Sequence, residues 1–377
     1  MAGAGLYVHV PFCSAVCPYC DFAVHTGNAA AREAFTDSLI RELKLWPEWD
    51  APIDTVYFGG GTPSALSGSQ LNRIIDAASA ALPLARDARL HFEANPEDVT
   101  PDAIAQWQAM GVQMLSLGIQ SFDEAELKQL GRRHTGSEAQ RALQACLDAD
   151  FHTVSCDLIF GLPGQSRTTL EANLAVIEAL SPQHVSCYQL TIHQGTTFWK
   201  WRERGRLHEL DEDSQADLYV LLSDRLQAQG LAAYEVSNFA CDATHESQHN
   251  RKYWDHTPYL GVGPSAHSFS GSRRWWNHRA TGTWAAALER DQQPVAGDES
   301  LSPSALALET LMLRLRTRDG LDMAAFGTRF GIDLSKRNTA LLADLLARKL
   351  VTIEGTWLRP TRAGLGVSDG IVAMFDL

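Results

Sequence analysis

Strand-like and helix-like segments alternate over about the first 230 residues, and this alternation limits the possible folds more than any other feature. Short apolar segments have the length and composition of buried strands, namely Leu6–Val10, Asp54–Phe58, Arg89–Ala94, Gln113–Ile119, His152–Phe160 and His184–Leu190. Helical patterns separate and follow them, at Ala29–Trp46, Ser67–Ala81, Pro101–Met110, Asp123–Leu130, Ser137–Ala149, Thr168–Leu180 and Asp213–Ala228. Repeated strand–helix units predict an α/β fold with a parallel sheet. The spacing favours a (β/α)6 partial TIM barrel over an open doubly wound sheet, although periodicity alone does not separate them.

Polar residues and glycines follow the predicted strands. The first strand leads into Cys13, Cys17 and Cys20, and later strands end at or just before Gly59-Gly60-Gly61-Thr62-Pro63, Glu93 and Gln120. The fifth predicted strand carries Asp157 near its carboxyl end. In a barrel, the carboxyl ends of all strands meet on one face, where active sites lie. We therefore predict that these residues form one site.

The three cysteines have the spacing C-x3-C-x2-C. Three thiolates cannot fill a tetrahedral zinc site alone, but they suit a [4Fe–4S] cluster whose fourth iron stays open to a small molecule. Structural thiols, a zinc site completed by a remote ligand, and an oxidising cysteine pair are the alternatives.

The other strand-end residues have side chains or backbone suited to a polar ligand. The glycine run lacks a P-loop lysine and the G-x-G-x-x-G spacing, but its bare backbone can approach a ligand closely. Glu93 can accept hydrogen bonds from ribose hydroxyls, whereas Gln120 and Arg132 can donate to a carboxylate. Asp157 lies inside an apolar strand and needs a polar partner there. Each residue taken alone is more often structural than functional, so their shared face is the argument for a site.

Composition narrows the class of protein. A net charge of −13 and a pI near 5.4 argue against a nucleic-acid-binding surface. Seven cysteines without a disulfide framework are typical of the reducing cytoplasm. We find neither a secretory signal pattern nor an apolar run approaching the ~20 residues that cross a bilayer.

The segment from Tyr7 to Cys20, the Gly-Gly-Gly-Thr-Pro run and the Gln120–Arg132–Asp157 intervals resemble the radical S-adenosylmethionine (SAM) superfamily. Nearly the whole chain resembles its coproporphyrinogen-oxidase-like branch. The resemblance implies that Cys13, Cys17 and Cys20 bind a [4Fe–4S] cluster. It also implies a SAM pocket lined by Tyr7, Tyr19, Gly60, Gly61, Thr62, Glu93, Gln120, Arg132 and Asp157.

Two features point to one group within that branch, the haem chaperones of the HemW type. Oxygen-independent coproporphyrinogen III oxidases carry a further cysteine two residues after the third, where this chain has Phe22. The segment from His249 to Trp254 matches the H-N-x-x-Y-W motif associated with haem binding in the chaperones. His249 can supply an imidazole to iron, and Tyr253 and Trp254 an aromatic wall. From residue types alone, a hydrogen-bonded histidine with two packed aromatic residues is the commoner arrangement. His267 is a second candidate ligand.

The domain prediction has three parts. Residues 1–232 form the partial barrel, 233–295 a connecting segment rich in aromatic residues and histidine, and 296–377 a smaller winged-helix-like α+β domain. Within the last part, Leu350–Arg359 and Gly370–Phe375 are predicted strands. The third predicted helix of this part, Lys336–Arg348, has basic residues only at its ends, so docking or a lid role is favoured over DNA binding.

The resemblance implies a haem chaperone that binds haem, SAM and a [4Fe–4S] cluster and delivers haem to acceptor haemoproteins, including membrane-bound respiratory complexes. It further implies a cluster-dependent homodimer, a cytoplasmic or peripherally membrane-associated location, and no nucleic-acid partner. The alternative is a radical SAM coproporphyrinogen III oxidase that converts propionates to vinyls, which the SAM pocket allows and Phe22 opposes. Whether the protein is an enzyme is thus left open. An RNA-modifying radical enzyme fits poorly with the acidic charge.

Overall fold

Six parallel strands in sequence order form the centre of the fold. The computed structural model describes residues 3–377, so the first two residues of the predicted barrel lie outside the described part. The strands are β1 (Ala4–Val10), β2 (Ile53–Gly60), β3 (Leu84–Ala94), β4 (Val112–Gln120), β5 (Thr153–Phe160) and β6 (His184–Gln189). Each pairs in parallel with the next. The predicted α/β architecture is confirmed.

Helices connect these strands and cover the outer face of the sheet. They are α1 (Ala29–Leu43), α2 (Gly68–Ala81), α3 (Pro101–Ala109), α4 (Glu124–Gln129), α5 (Gly136–Asp148) and α6 (Arg167–Leu180). Local sequence sets their starts: Ser67 with Gln70, and Thr135 with Glu138, form capping boxes that satisfy free backbone N–H groups.

Alternation along the strands separates an apolar outer layer from a polar interior. Leu6, Val8 and Val10 of β1 are fully buried in the main core beneath the helices. Tyr7 and His9 point to the opposite, concave face. The interior of the partial barrel therefore carries side chains capable of hydrogen bonding.

The sheet extends beyond both edges of the six-stranded unit. Helices α7 (Thr197–Glu203) and α8 (Glu212–Ala228) precede β7 (Ala232–Ala233) and β8 (Asn238–Ala240), and β8 pairs with β6. After α9 (Gln248–Trp254), the strand β9 (Tyr259–Val262) pairs in parallel with β1. The antiparallel strands β10 (His267–Ser270), β11 (Arg273–Asn277) and β12 (Val295–Ser300) follow, with α10 (Thr281–Leu288) between the last two.

The predicted domain boundaries lie within strands of this extended sheet. The segment 233–295 supplies β8 to β11 of a twelve-stranded sheet. The boundary at residue 232 falls inside β7, and the boundary at 295/296 falls inside β12. Single-strand patterns could not reveal pairing with β1 and β6.

The carboxyl-terminal part has its own apolar core. It comprises α11 (Pro303–Leu315), β13 (Leu321–Asp322), α12 (Met323–Phe330), α13 (Leu334–Arg337), α14 (Thr339–Ala347), β14 (Val351–Glu354), β15 (Trp357–Pro360), α15 (Arg362–Leu365) and α16 (Ser368–Val372). Its sheet order, β13-β15-β14, with an antiparallel β14–β15 hairpin before the last two helices, is that of a winged helix. The predicted strand Gly370–Phe375 is wrong, because α16 occupies much of it and packs Ile371 and Val372 into this core.

No helix within residues 3–377 is long and apolar enough to span a membrane.

Candidate functional site

A cavity of about 400 Å³ opens at the carboxyl ends of the parallel strands. Eleven of the predicted site residues line it: Cys13, Cys17, Tyr19, Cys20, Gly60, Gly61, Thr62, Glu93, Gln120, Arg132 and Asp157. They come from loops and strand ends that are up to 144 positions apart in sequence (Cys13 to Asp157). The fold thus brings the cysteine loop and these polar groups to one place, although their individual roles stay predictions.

A chain of polar contacts links two of the three thiols across this cavity. Thr62 Oγ1 lies 3.5 Å from Cys13 Sγ and accepts a 3.0 Å hydrogen bond from Asn95 Nδ2. Arg132 donates to Asn95 Oδ1 at 2.5 Å, and its other terminal nitrogen lies 3.6 Å from Cys17 Sγ. The Arg132 guanidinium and the Thr62 hydroxyl are hydrogen-bond donors placed beside the sulfurs. Burial raises the pKa of the Cys13 thiol.

The glycine run holds the start of the cysteine loop by close backbone approach. The N–H groups of Gly61 and Thr62 donate to the carbonyls of Val10 and Phe12 at 2.8 and 2.7 Å. A Cβ at Gly61 would lie 2.7 Å from the Val10 carbonyl oxygen, so no larger residue fits. Gly60 has a φ of +101°, which side chains rarely adopt.

Two carboxyl groups face the cavity from neighbouring parts of the barrel. Glu93 accepts from Tyr57 OH at 2.6 Å and from Gly60 N at 3.2 Å, and burial raises its pKa to about 7. Asp157 accepts from Ser116 Oγ at 2.8 Å, and burial raises its pKa to about 6. Both carboxyl groups have the polar partners that their positions require.

Gln120 is held in a strained backbone conformation at the end of β4. Its φ is +72°, and the register of β4 against β5 shifts just before it. Non-glycine residues in this region persist where the surrounding structure imposes them, often at functional sites.

Sequence reasoning missed several cavity residues. Asn95 and Tyr57 contact the predicted site residues directly, and Ser186, Tyr188 and Asn250 also line the cavity. Asn95 follows the end of β3, so its place after a strand was the available signal. Nothing in the sequence marks the other four as neighbours of the cysteine loop.

The donor set fits a three-cysteine iron–sulfur cluster. The structure has all three loop cysteines as free thiols at the wall of one cavity. Arg132 Nε is buried without a hydrogen-bond partner within residues 3–377, which leaves that donor available to a bound group. Soft thiolates beside a cavity lined by hydrogen-bonding side chains are what a cluster and a zwitterionic ligand require.

Tyr7 does not line this cavity. Its hydroxyl lies 3.2 Å from His9 Nδ1, and Tyr7 lines a second cavity of about 320 Å³ instead. Its predicted role in the SAM pocket therefore has no support from the cavity geometry.

His249 lies inside the barrel at the amino-terminal ends of the strands, on α9. Its side chain is fully buried. Nδ1 lies 2.9 Å from Thr55 Oγ1, and Nε2 lies 3.0 Å from Tyr253 OH. Burial also holds the pKa of His249 well below its usual value, so the ring is neutral. In this conformation both ring nitrogens are occupied, and His249 is not presented to an iron atom.

Of the other two residues of the predicted haem set, Tyr253 contacts His249 through its hydroxyl, whereas Trp254 points elsewhere. Tyr253 reaches the second cavity, where it packs edge-on against Tyr259 with ring centroids 4.7 Å apart. Trp254 lies under the Arg316 guanidinium, 5.7 Å from its ring centroid, towards the carboxyl-terminal part. The three residues do not form one haem wall here.

Known proteins are similar to this chain in both fold and sequence. Residues 7–177 match the family model of the radical SAM superfamily, and residues 301–367 match that of the HemN C-terminal domain. The solved structure of coproporphyrinogen III oxidase (HemN) from Escherichia coli, described as a radical SAM enzyme, superposes with a TM-score of 0.84. It covers 99% of this chain and 90% of that chain at 20% identity, and so shows the fold.

The fold and the cysteine loop are those of a radical SAM protein, and binding of a [4Fe–4S] cluster and SAM follows from that class. A Mycobacterium tuberculosis protein named heme chaperone HemW is 38% identical over 373 residues, 98% of this chain and 93% of the relative. The Escherichia coli protein of that name is 37% identical over 266 residues, 70% of this chain and 69% of the relative. The chain belongs to the HemW family.

Proposed function

We propose that this protein is a haem chaperone that binds haem, SAM and a [4Fe–4S] cluster and passes haem to acceptor haemoproteins. The supporting observation is similarity along nearly the whole chain to relatives named heme chaperone HemW. The cavity geometry adds that the cysteine loop and its polar neighbours suit the cluster and SAM.

Different residues of the chain would bind the cluster and the parts of SAM. Cys13, Cys17 and Cys20 would hold the cluster, which supplies one-electron chemistry to SAM when bound. Arg132, fixed by Asn95 and the Gly118 carbonyl at 2.5 and 2.6 Å, would hold negative charge near Cys17. Glu93 would accept from ribose hydroxyls in its ionised form.

Phe22 favours a carrier over an oxidase. It occupies the position where the oxidases of this branch carry a further cysteine, and 61% of its surface is exposed. An exposed phenyl group supplies no fourth thiolate, but it offers a planar apolar contact to a porphyrin. We further propose acceptors among respiratory haemoproteins, a cluster-dependent homodimer, and a cytoplasmic or peripheral membrane location.

The test uses anaerobically reconstituted full-length protein. Haemin is titrated and followed at the Soret band, and the haem-loaded protein is then mixed with an apo-cytochrome of a respiratory complex. We expect saturable binding and transfer faster than from haem-loaded serum albumin, the matched control.

In parallel, coproporphyrinogen III is supplied with SAM and a reductant. We expect no protoporphyrinogen IX. Multiple turnovers to that product would replace the chaperone with the decarboxylase.

A further inference from the structure

The second cavity lies on the concave face of the sheet where it extends past β1. Strand register pairs Gly5 with Tyr259 and Tyr259 with Phe269. Because side chains alternate along a strand, Tyr7, Tyr259 and His267 share that face. The cavity is lined by Tyr7, His9, Asp21, Phe22, Ala23, Tyr253, Tyr259, Ser265, His267 and Arg279.

His267 is the histidine of this cavity with a free ring. Neither of its nitrogens has a hydrogen-bond partner among the described residues 3–377, whereas His9 contacts Tyr7 OH and the Ala23 carbonyl at 3.2 and 3.0 Å. The imidazole of His267 stacks on Trp276 with centroids 5.8 Å apart and an interplanar angle of 27°. Burial lowers its pKa, and a neutral imidazole is the form that ligates iron.

The rest of the lining suits a flat aromatic ligand that carries carboxylates. Phe22 presents 61% of its surface at the mouth, and Tyr253 and Tyr259 form an edge-on pair within. Arg279 is exposed at the rim and is anchored to the Asp21 carbonyl, so its guanidinium stays near the opening. Aromatic faces with an adjacent guanidinium match a porphyrin and its propionates.

We propose that this cavity receives one edge of haem, with His267 as the axial ligand to iron and Phe22 and Tyr259 against the porphyrin. Arg279 pairs with a propionate. This inference rests on the proposed function and moves the iron ligand away from His249. The H-N-x-x-Y-W motif then contributes through Tyr253, whose hydroxyl contacts the buried His249 and whose ring lines the cavity.

The position explains how haem and the cluster loop can influence each other. Asp21 and Phe22, directly after Cys20, line both this cavity and the cavity that Cys13, Cys17 and Cys20 line. Haem bound here would touch the same short loop that holds the cluster.

The experiment titrates haemin into reconstituted full-length wild type and three variants. For His267→Ala we expect at least tenfold weaker binding and a shifted Soret maximum, with the wild-type maximum restored by added imidazole. For Phe22→Ala we expect weaker binding with an unchanged maximum, because coordination is intact.

The control is His245→Ala. His245, Cys241 and Asp242 place donor atoms within 4.8 Å of one another on the outer surface, so they are an alternative place for iron to find ligands. We expect this variant to match the wild type in affinity and Soret position.

The outcomes separate the two proposals. If wild type binds haem and His267→Ala does the same with an unchanged spectrum, the site is overturned while the chaperone function stands. A Soret shift seen only in His245→Ala would also overturn the proposed haem site. If wild type binds no haem, both proposals fail.

Discussion

The change of His249 to alanine tests whether this buried side chain stabilises the packing of the barrel interior. The substitution removes partners of Thr55 and Tyr253, and Thr55 is only 2% exposed. An unsatisfied buried hydroxyl costs about 1–3 kcal/mol. Loss of an aromatic ring from a packed interior costs about 3–5 kcal/mol, by analogy with phenylalanine-to-alanine changes. With partial relaxation we expect the free energy of unfolding to fall by about 4 kcal/mol.

Urea unfolding followed by circular dichroism, on cluster-free protein, measures this difference. The matched control is His208→Ala, an exposed histidine whose loss should change the unfolding free energy by no more than about 0.5 kcal/mol. A loss below about 1 kcal/mol in His249→Ala would refute the packing described here. It would also restore His249 as an accessible haem ligand.

Two further predictions concern the site and the core. Asn95→Ala should weaken SAM binding about tenfold, equivalent to about 1.4 kcal/mol, since Arg132 and Thr62 both lose a partner; calorimetry that finds unchanged affinity would contradict the contact chain. Glu42 is fully buried, and burial raises its pKa to about 7. Between pH 4.5 and about 7 the Glu42 carboxyl group therefore stays protonated in the folded chain, whereas in the unfolded chain it ionises near its ordinary pKa of 4.5. Wild type therefore loses stability as pH rises from about 4.5 to about 7, and Glu42→Gln, which does not titrate, should gain unfolding free energy relative to it over that range. Urea unfolding at about pH 5, 6 and 7.5 checks this, and a constant difference would mean that Glu42 is ionised throughout.

The sequence was sufficient to predict the six parallel strands and the place of the cavity. Apolar runs such as Leu6–Val10 carry a local signal, and parallel topology forces their carboxyl ends together. Cys13 and Asp157 could therefore be assigned to one face without any distance information.

Other features depend on tertiary contacts that a single sequence does not encode locally. Residue types allow His249 to be either an iron ligand or a hydrogen-bonded, packed histidine. Its contacts with Thr55 and Tyr253 in the barrel interior join distant segments of the chain, so no local pattern indicates them. The pairing of β9 with β1 likewise joins segments about 250 residues apart, beyond any local periodicity. Gly370–Phe375 resembled a strand only because its apolar residues cluster, and packing decided for a helix.

Electron paramagnetic resonance of the reduced, reconstituted protein tests the central claim, that Cys13, Cys17 and Cys20 hold a cluster with one iron open to SAM. We predict a [4Fe–4S]⁺ signal whose g values change when SAM is added. The Cys17→Ser variant should lack this signal. A protein that retains zinc and gives no iron–sulfur signal, or a signal indifferent to SAM, would contradict the account.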